Sequence, residues 1–197
     1  LRQTRVDAQL EAWEYELVHA GEAITALRDA YISALQAPLH HLLPRLLPDA
    51  GAITLSLQPG WRRHELALAD ALLLSRERDQ TLGYTSLGPH RADLKLQLRD
   101  LPGRESLSRG QTKQLALCLL LAQATHLAQA LGHWPVLQLD DLGSELDRRH
   151  QACVLEVLAQ TDAQVVITGT EPLSALPSSP LPVSLFHVEH GVLRQQD

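Results

Sequence analysis

The sequence has 197 residues, of which 45% are hydrophobic, and its formal net charge at pH 7 is -6. A chain of this length and composition can bury one good core together with a smaller appended unit. The negative net charge excludes nucleic-acid binding that relies on the overall charge of the protein. A local basic surface on an acidic protein can still bind DNA.

The first predicted element is a long helix, because apolar residues recur at spacings of three and four from Leu10 onwards. The stripe consists of Leu10, Trp13, Leu17, Ala20, Ile24, Leu27, Tyr31 and Leu35. So long a stripe needs a partner, and the helix therefore either packs on an ordinary domain or forms one side of a helical arm.

A strand and a second helix are predicted next. Residues 52–57 alternate apolar and polar side chains, which is typical of a strand, and Pro59-Gly60 ends it. Arg62 and Arg63 follow beside an aromatic residue, where they either contact DNA phosphates or cover a helix end. Residues 65–80 have a helical pattern and could pair with the first helix.

Two further strands are predicted around a loop. Residues 83–87 are expected to form a strand, and residues 88–91 a loop at its end. In this loop Arg91 is either a phosphate contact or the ion-pair partner of an acidic neighbour such as Asp93. Residues 93–99 alternate leucines with polar side chains, which predicts a half-exposed strand.

The sequence Leu-Ser-Arg-Gly-Gln at 107–111 lies just before a long apolar helix that ends at Gly132. Here Ser108 offers a hydroxyl, Gly110 allows close approach to the backbone, and the helix N-terminus carries partial positive charge. These features together suit a phosphate oxygen, although a simple helix cap is the alternative for the motif alone.

Two adjacent carboxylates close the next strand. Residues 136–139 have the apolar pattern of a buried parallel strand, and Asp140 and Asp141 follow at its carboxyl end, where open α/β sheets bind ligands. We interpret Asp140 as a ligand of Mg²⁺ beside a nucleotide, and Asp141 as the group that orients or deprotonates the attacking water.

The remaining elements are a helix at 148–160, a buried strand at 164–168 and a closing hairpin built from 185–188 and 192–194. Cys118 and Cys153 have apolar helical neighbours and no metal-ligand spacing, which indicates reduced, buried thiols. We expect no signal peptide and no apolar run long enough to cross a bilayer.

Taken in order, these motifs resemble those of ABC-type ATPases. Residues 107–111 resemble the signature loop, residues 137–141 the Walker B strand, and residues 144–147 the D-loop. The Asp-Asp pair, the Ser-Glu-Leu-Asp after it and the sequence Gly-Pro-His-Arg-Ala-Asp-Leu at 88–94 most resemble the RecF family, which is related to the chromosome-maintenance ATPases. The resemblance extends from about Trp13 to Leu193.

The resemblance implies an α/β fold, namely an ABC-type, SMC-like ATPase head without its Walker A lobe and with an inserted helical arm. The arm would comprise residues 1–82, and the C-terminal part of the head residues 83–197. No Gly-x-x-x-x-Gly-Lys-Ser/Thr motif occurs in the sequence. We therefore expect the chain to be the C-terminal part of a longer protein, one that hydrolyses ATP only when complete.

The resemblance also implies roles for individual residues around ATP and Mg²⁺. The signature loop would contact the nucleotide of a second subunit through Ser108, Arg109, Gly110 and Gln111. The D-loop residues Ser144 and Asp147 would lie at the same interface. The residue that senses the γ-phosphate after the strand at 164–168 is commonly histidine in ABC-type folds, and Thr168 is the candidate for that switch here.

The function implied is that of a cytoplasmic clamp in recombinational repair. ATP would join two copies on double-stranded DNA, including gapped DNA and junctions of single and double strands. Hydrolysis would release the clamp, and a RecR-like mediator would help it to load recombinase. The alternatives are the nucleotide-binding domain of another ABC-type ATPase, such as a transporter, and a helical interaction module without catalysis, which the missing P-loop favours.

Overall fold

The computed structural model describes residues 2–98, 107–171 and 182–196. The described residues form a mixed structure of helices and strands. In chain order these are α1 (Arg2–Ala34), α2 (Gln36–Leu46), β1 (Ile53–Gln58), α3 (Leu68–Leu82), β2 (Asp93–Leu98), α4 (Arg109–Leu131), β3 (Leu137–Leu139), α5 (Leu142–Glu145), α6 (Arg148–Leu158), β4 (Val165–Ile167), β5 (Leu185–Glu189) and β6 (Val192–Gln196).

The chain divides into two compact units, Leu1–His126 and Leu127–Asp197. In the first unit, β1 and β2 pair antiparallel, with Ile53 opposite Leu98 and Gln58 opposite Asp93. Both strands lie where the alternating side chains predict them. The proposed division into an arm of residues 1–82 and a head of residues 83–197 stays a prediction about the complete protein.

The packing of α1 on α3 depends on small and polar residues of α1. A Cβ atom at Gly21 would lie 2.7 Å from the Cδ2 atom of Leu68, so glycine is what lets the two segments approach. Glu22 accepts a hydrogen bond of 3.0 Å from the backbone N–H of Leu68 at the start of α3. Farther along, Arg76 forms an ion pair with Glu14, which fixes the two helices side by side.

The predicted apolar stripe of α1 is only partly buried, since Leu17 packs against the core cluster that α3 contributes to and Leu35 is 5% exposed. Trp13 is 75% exposed and Leu27 is 71% exposed, whereas Gly21 and Thr25 are buried. The stripe correctly predicts the helix, and α3 packs against part of it, although most of the stripe stays exposed. The Leu68 side chain approaches the backbone of α1 closely at Gly21, where any larger residue would clash, so α3 packs mainly on the face of α1 next to the stripe.

Residues 83–87 do not form the predicted strand. Gly83 adopts a left-handed conformation with φ of 76° and ends α3, its N–H bonding the carbonyl of Asp79 at 2.8 Å. The loop that contains Gly88 packs closely against the turn at Gly60. A Cβ atom at Gly60 would lie only 2.1 Å from the carbonyl oxygen of Gly88. This glycine contact, which the local pattern of residues 83–87 does not encode, holds the segment as a loop.

Helix α4 corrects the expectation about membranes. Within the described residues, it is the helix long and apolar enough to cross a bilayer, judged by length and composition only. Core helices of soluble proteins pass the same test, and the face of α4 that includes Leu115, Leu121 and Ala122 is buried. Cys118 lies on that face, and burial raises the pKa of its thiol to about 12. Cys153 in α6 is only partly buried, contrary to expectation.

In the second unit, β3 and β4 pair parallel, with Leu137 opposite Val165 and Leu139 opposite Ile167. Strands β5 and β6 form the predicted hairpin, whose turn at His190 and Gly191 has positive φ at both positions. Helix α6 buries one apolar face, which comprises Val154, Leu155, Val157 and Leu158. The parallel pair has the geometry of an open α/β sheet, in which ligands bind at the carboxyl ends of the strands.

Candidate functional site

The carboxyl ends of β3 and β4 bring the two predicted acidic residues together with Thr168. The backbone N–H of Thr168 bonds the carbonyl of Leu139 at 3.0 Å, which continues the parallel ladder by one residue. Asp140 follows β3 and Thr168 follows β4, so this register places their side chains next to each other. Both side chains are exposed, which leaves them accessible to a ligand.

Thr168 is hydrogen-bonded to both aspartates. Its hydroxyl donates to Oδ1 of Asp140 and accepts from the backbone N–H of Asp141 at 3.1 Å. From the sequence alone, Thr168 is a candidate for the γ-phosphate switch only because ABC-type folds commonly have histidine at this position. The two contacts give it a positioning role that sequence spacing alone does not reveal, since residues 140 and 168 meet only through the strand pairing.

Asp141 has an unusual backbone conformation, with φ of 49° and ψ of 42°. Left-handed backbone is uncommon for residues other than glycine, and aspartate and asparagine tolerate it best. Ser144 donates a hydrogen bond to Oδ2 of Asp141 from the first turn of α5. The other carboxylate oxygen, Oδ1, is buried and has no hydrogen-bond partner among the described residues. A buried, unpaired carboxylate oxygen next to an exposed aspartate is suited to receive a cation or a water molecule.

These residues fit Mg²⁺ of the kind that accompanies a nucleotide. Within the described part of the chain, no group of three or more His, Cys, Asp or Glu side chains could hold a metal ion. Mg²⁺ in phosphoryl-transfer sites commonly takes one or two carboxylates from the protein and its other ligands from phosphates and water. Asp140 and Asp141 supply that number of carboxylates, so the pair suits a metal ion that arrives with its nucleotide.

The predicted signature loop lies in the first unit, and there Ser108 caps α4. Its Oγ accepts a hydrogen bond of 3.2 Å from the N–H of Gln111, while Oε1 of Gln111 accepts one of 2.9 Å from the N–H of Ser108. This reciprocal pair is a capping box. The helix-cap interpretation of Ser-x-x-Gln is thus confirmed as a local structure, and contact with a nucleotide stays a prediction.

The capping box explains why residue 108 is serine, but the structure around Gly110 does not explain why that residue is glycine. A Cβ atom added at Gly110 would have no described atom within 4 Å. A glycine in the first turn of a helix costs stability relative to alanine, by about 1 kcal/mol. The backbone at Gly110 is therefore accessible from outside the chain, as it also is at Gly143.

Asp147, the predicted D-loop residue, caps α6. Oδ1 accepts a hydrogen bond of 3.0 Å from the N–H of His150, and Oδ2 lies 2.8 Å from Nδ1 of the same residue. The hydrogen bond from the backbone of His150, followed by that from its side chain, lowers the pKa of Asp147. Asp147 therefore has a structural role whether or not it also lies at an interface.

We expect Asp147→Ala to lower the melting temperature at pH 7, because α6 then loses its N-terminal cap. Since the folded pKa is depressed, this contribution is fully present above the unfolded pKa of about 3.9 and is lost as pH falls through the folded value. The melting temperatures of wild type and Asp147→Ala, measured from pH 7 to pH 2, should become equal in acid. Asp147→Ser keeps a capping oxygen and serves as the control. Equal melting temperatures of wild type and Asp147→Ala at pH 7 would contradict the capping role.

The three arginines proposed as phosphate or DNA contacts have local partners. Arg62 forms an exposed ion pair with Glu65 at 3.3 Å. Arg63 lies 3.6 Å from a carboxylate oxygen of Glu22 and 3.8 Å from one of Asp29. Arg91 lies over the ring of Tyr84, 5.2 Å from its centre, and not in the ion pair with Asp93 that was the alternative. Their roles toward DNA stay predictions, and Tyr84 was not identified from the sequence.

No protein-family model matches the chain. Curated proteins do match it, and they include DNA replication and repair proteins RecF of several bacteria. The protein of Xanthomonas euvesicatoria pv. vesicatoria is 50% identical over 196 residues, which are 100% of this chain and 53% of that protein. The protein of Stenotrophomonas maltophilia is 51% identical over 97% of this chain, and that of Shewanella piezotolerans 36% identical over 97%. The chain spans about half the length of these curated relatives.

Two solved structures have the same fold. They are the recombination mediator protein RecF with ATP and with ATPγS, both from the RecFOR pathway. Their TM-scores are 0.73 and 0.77, each at 24% identity, and the matches cover 96% and 97% of this chain but 51% of each solved chain. The match confirms the predicted α/β fold of an ABC-type ATPase head.

Proposed function

Because the chain is a homologue of RecF proteins along its whole length and spans about half of theirs, we propose that it supplies one part of a RecF-like ATPase that acts in DNA replication and repair. In the complete protein, ATP binding joins two copies into a clamp on double-stranded DNA, and hydrolysis releases it. The clamp acts in the cytoplasm at gaps and at junctions of single and double strands, with a RecR-like mediator as partner.

The observation that carries this proposal is that the strand pairing brings Asp140, Asp141 and Thr168 together at the ends of β3 and β4. The Thr168 hydroxyl donates to the carboxylate of Asp140 and accepts from the backbone N–H of Asp141. In the proposed mechanism, Asp140 holds Mg²⁺ and Asp141 orients or deprotonates the attacking water. The metal ion, when bound, neutralises charge that develops on the phosphates. Thr168 holds the Asp140 carboxylate next to the backbone of Asp141.

The second half of the proposed site is the signature loop of the other subunit. Ser108 and Gly110 at the N-terminus of α4 would contact the phosphates bound by the partner, together with Arg109 and Gln111. The nucleotide would then be part of the interface, so ATP affinity and dimerisation are linked. Ser144 and Asp147 would lie near this contact. The open space around Gly110 supports such an approach.

The test uses a chimera in which this chain is joined to the segment of Xanthomonas euvesicatoria RecF that lies outside the match. Sedimentation is measured with and without Mg-ATP and a DNA duplex, at a stated salt concentration because salt screens phosphate contacts. We expect ATP to convert monomer into dimer and the dimer to bind the duplex, whereas ADP should do neither. A chimera that stays monomeric with ATP would favour the non-catalytic interaction module instead.

A further inference from the structure

Gln151 is a buried polar residue of α6 that lies outside the predicted motifs, and it is only 6% exposed. Its Nε2 atom donates two hydrogen bonds, one of 3.1 Å to the carbonyl of Gly143 and one of 2.6 Å to the carbonyl of Leu146. Burial of an amide costs free energy unless its hydrogen bonds are made, and here both N–H donors of the amide are used. Gln151 therefore joins α6 to the segment that precedes it.

The segment held by Gln151 is the turn that follows β3. We call residues 141–146 the acidic turn, and it contains α5, which has only four residues. A helix this short is not stable by itself, so its conformation depends on contacts with the rest of the chain. The two carbonyls that accept from Gln151 flank Ser144 and its neighbour in sequence. The amide therefore fixes the backbone on both sides of Ser144.

Ser144 contacts Asp141 through both its backbone and its side chain. The N–H of Ser144 donates to the carbonyl of Asp141 at 3.1 Å, and its hydroxyl donates to Oδ2 of the carboxylate. The left-handed backbone of Asp141, with φ of 49°, persists only where surrounding contacts hold it. Since Oδ2 is bonded to Ser144, Oδ1 is the oxygen left without a partner among the described residues. The acidic turn thus determines which oxygen of Asp141 is free.

We propose that Gln151 is a positioning residue for the Asp141 carboxylate and that it acts through the acidic turn and Ser144. The proposal rests on the proposed function, in which Asp141 orients or deprotonates the attacking water. That step needs a carboxylate oxygen at a defined place, because a misplacement of about 1 Å can lower a rate by roughly a hundredfold. Gln151 serves this step without touching the nucleotide, since it fixes the turn from which Ser144 reaches Asp141.

Gln151→Met tests the proposal, because methionine is similar in length and lacks the two N–H donors. In the chimera, we expect this change to lower kcat for ATP hydrolysis by roughly tenfold or more and to alter KM for ATP little. Gln36→Met is the matched control. Gln36 in α2 also donates its amide to a backbone carbonyl, that of Leu55 at 2.8 Å, but it lies in the first unit. Its kcat should equal that of wild type.

Two further comparisons separate positioning from a general loss of structure. Ser144→Ala should also lower kcat, whereas Ser144→Thr keeps the hydroxyl and should hydrolyse ATP at close to the wild-type rate. Gln151→Met combined with Asp141→Asn should be no slower than Asp141→Asn alone, since both changes act through the same carboxylate. If the two losses multiply instead, Gln151 does not act through Asp141 and the proposal is overturned.

Hydrogen exchange of the 197-residue chain gives a readout that does not depend on nucleotide. The N–H groups of Ser144 and Leu146 are hydrogen-bonded to carbonyls within the acidic turn. Gln151→Met should speed exchange at both, because the turn then opens more readily, and Gln36→Met should not. Unchanged exchange or an unchanged kcat in Gln151→Met would overturn this proposal alone. A wild-type chimera that does not hydrolyse ATP would overturn the proposed function as well.

Discussion

Ser108→Arg is expected to abolish ATP-dependent dimerisation of the chimera while its monomer still binds nucleotide. The arginine side chain would project from the N-terminus of α4 into the space where the partner's phosphates are proposed to lie. The same change removes the capping oxygen that accepts from the N–H of Gln111. Loss of a cap costs about 1 kcal/mol, which is too little to prevent folding. Sedimentation with Mg-ATP, together with equilibrium nucleotide binding, measures both properties.

Two variants separate steric blocking from the loss of the cap. Ser108→Ala loses the capping oxygen but adds no bulk, so it should dimerise with ATP, although less stably. Gly110→Ala meets open space within its own chain, so it should fold at least as well as wild type and dimerise less. If Ser108→Arg dimerises with ATP as wild type does, the proposed contact of the signature loop with a second subunit's nucleotide is wrong.

Asp141→Asn is expected to keep ATP and DNA binding but to slow hydrolysis by roughly a hundredfold or more, as loss of a general base commonly does. Asparagine is nearly isosteric and tolerates the left-handed backbone that Asp141 adopts, so the local structure should persist. Its side-chain oxygen can also accept from Ser144, as Oδ2 of Asp141 does. Phosphate release and the lifetime of the ATP-bound dimer would measure the effect, and the lifetime should increase.

Thr168 allows a matched comparison with this variant. Thr168→Ser keeps the hydroxyl that contacts Asp140 and Asp141, whereas Thr168→Val keeps the shape and removes it. We expect the serine variant to hydrolyse ATP at a rate close to wild type and the valine variant to be slower. Hydrolysis by Asp141→Asn at the wild-type rate would remove Asp141 from the mechanism, whatever the Thr168 variants do.

The secondary-structure elements that were predicted correctly depend on the conformational preferences of residues close together in sequence. The alternation in β1 and β2, the helical periodicity of α1 and the end of α4 before Gly132 all arise from short-range preferences that a single segment carries. The strand that ends in Asp140 and Asp141 follows from the same kind of preference. The predicted strand at 83–87 was wrong, because a distant glycine contact between Gly60 and Gly88 overrides its local pattern.

The sequence by itself therefore determined most of the elements, their order and the identity of the two acidic residues. Only the tertiary structure decided which residues those elements bring together. The parallel register of β3 and β4 joins Thr168 to Asp140, residues that are 28 positions apart. The close approach of the Leu68 side chain to Gly21 places α3 beside the apolar stripe of α1, so that most of the stripe stays exposed. In both cases the deciding interaction lies between segments distant in sequence, and local periodicity carries no information about such contacts.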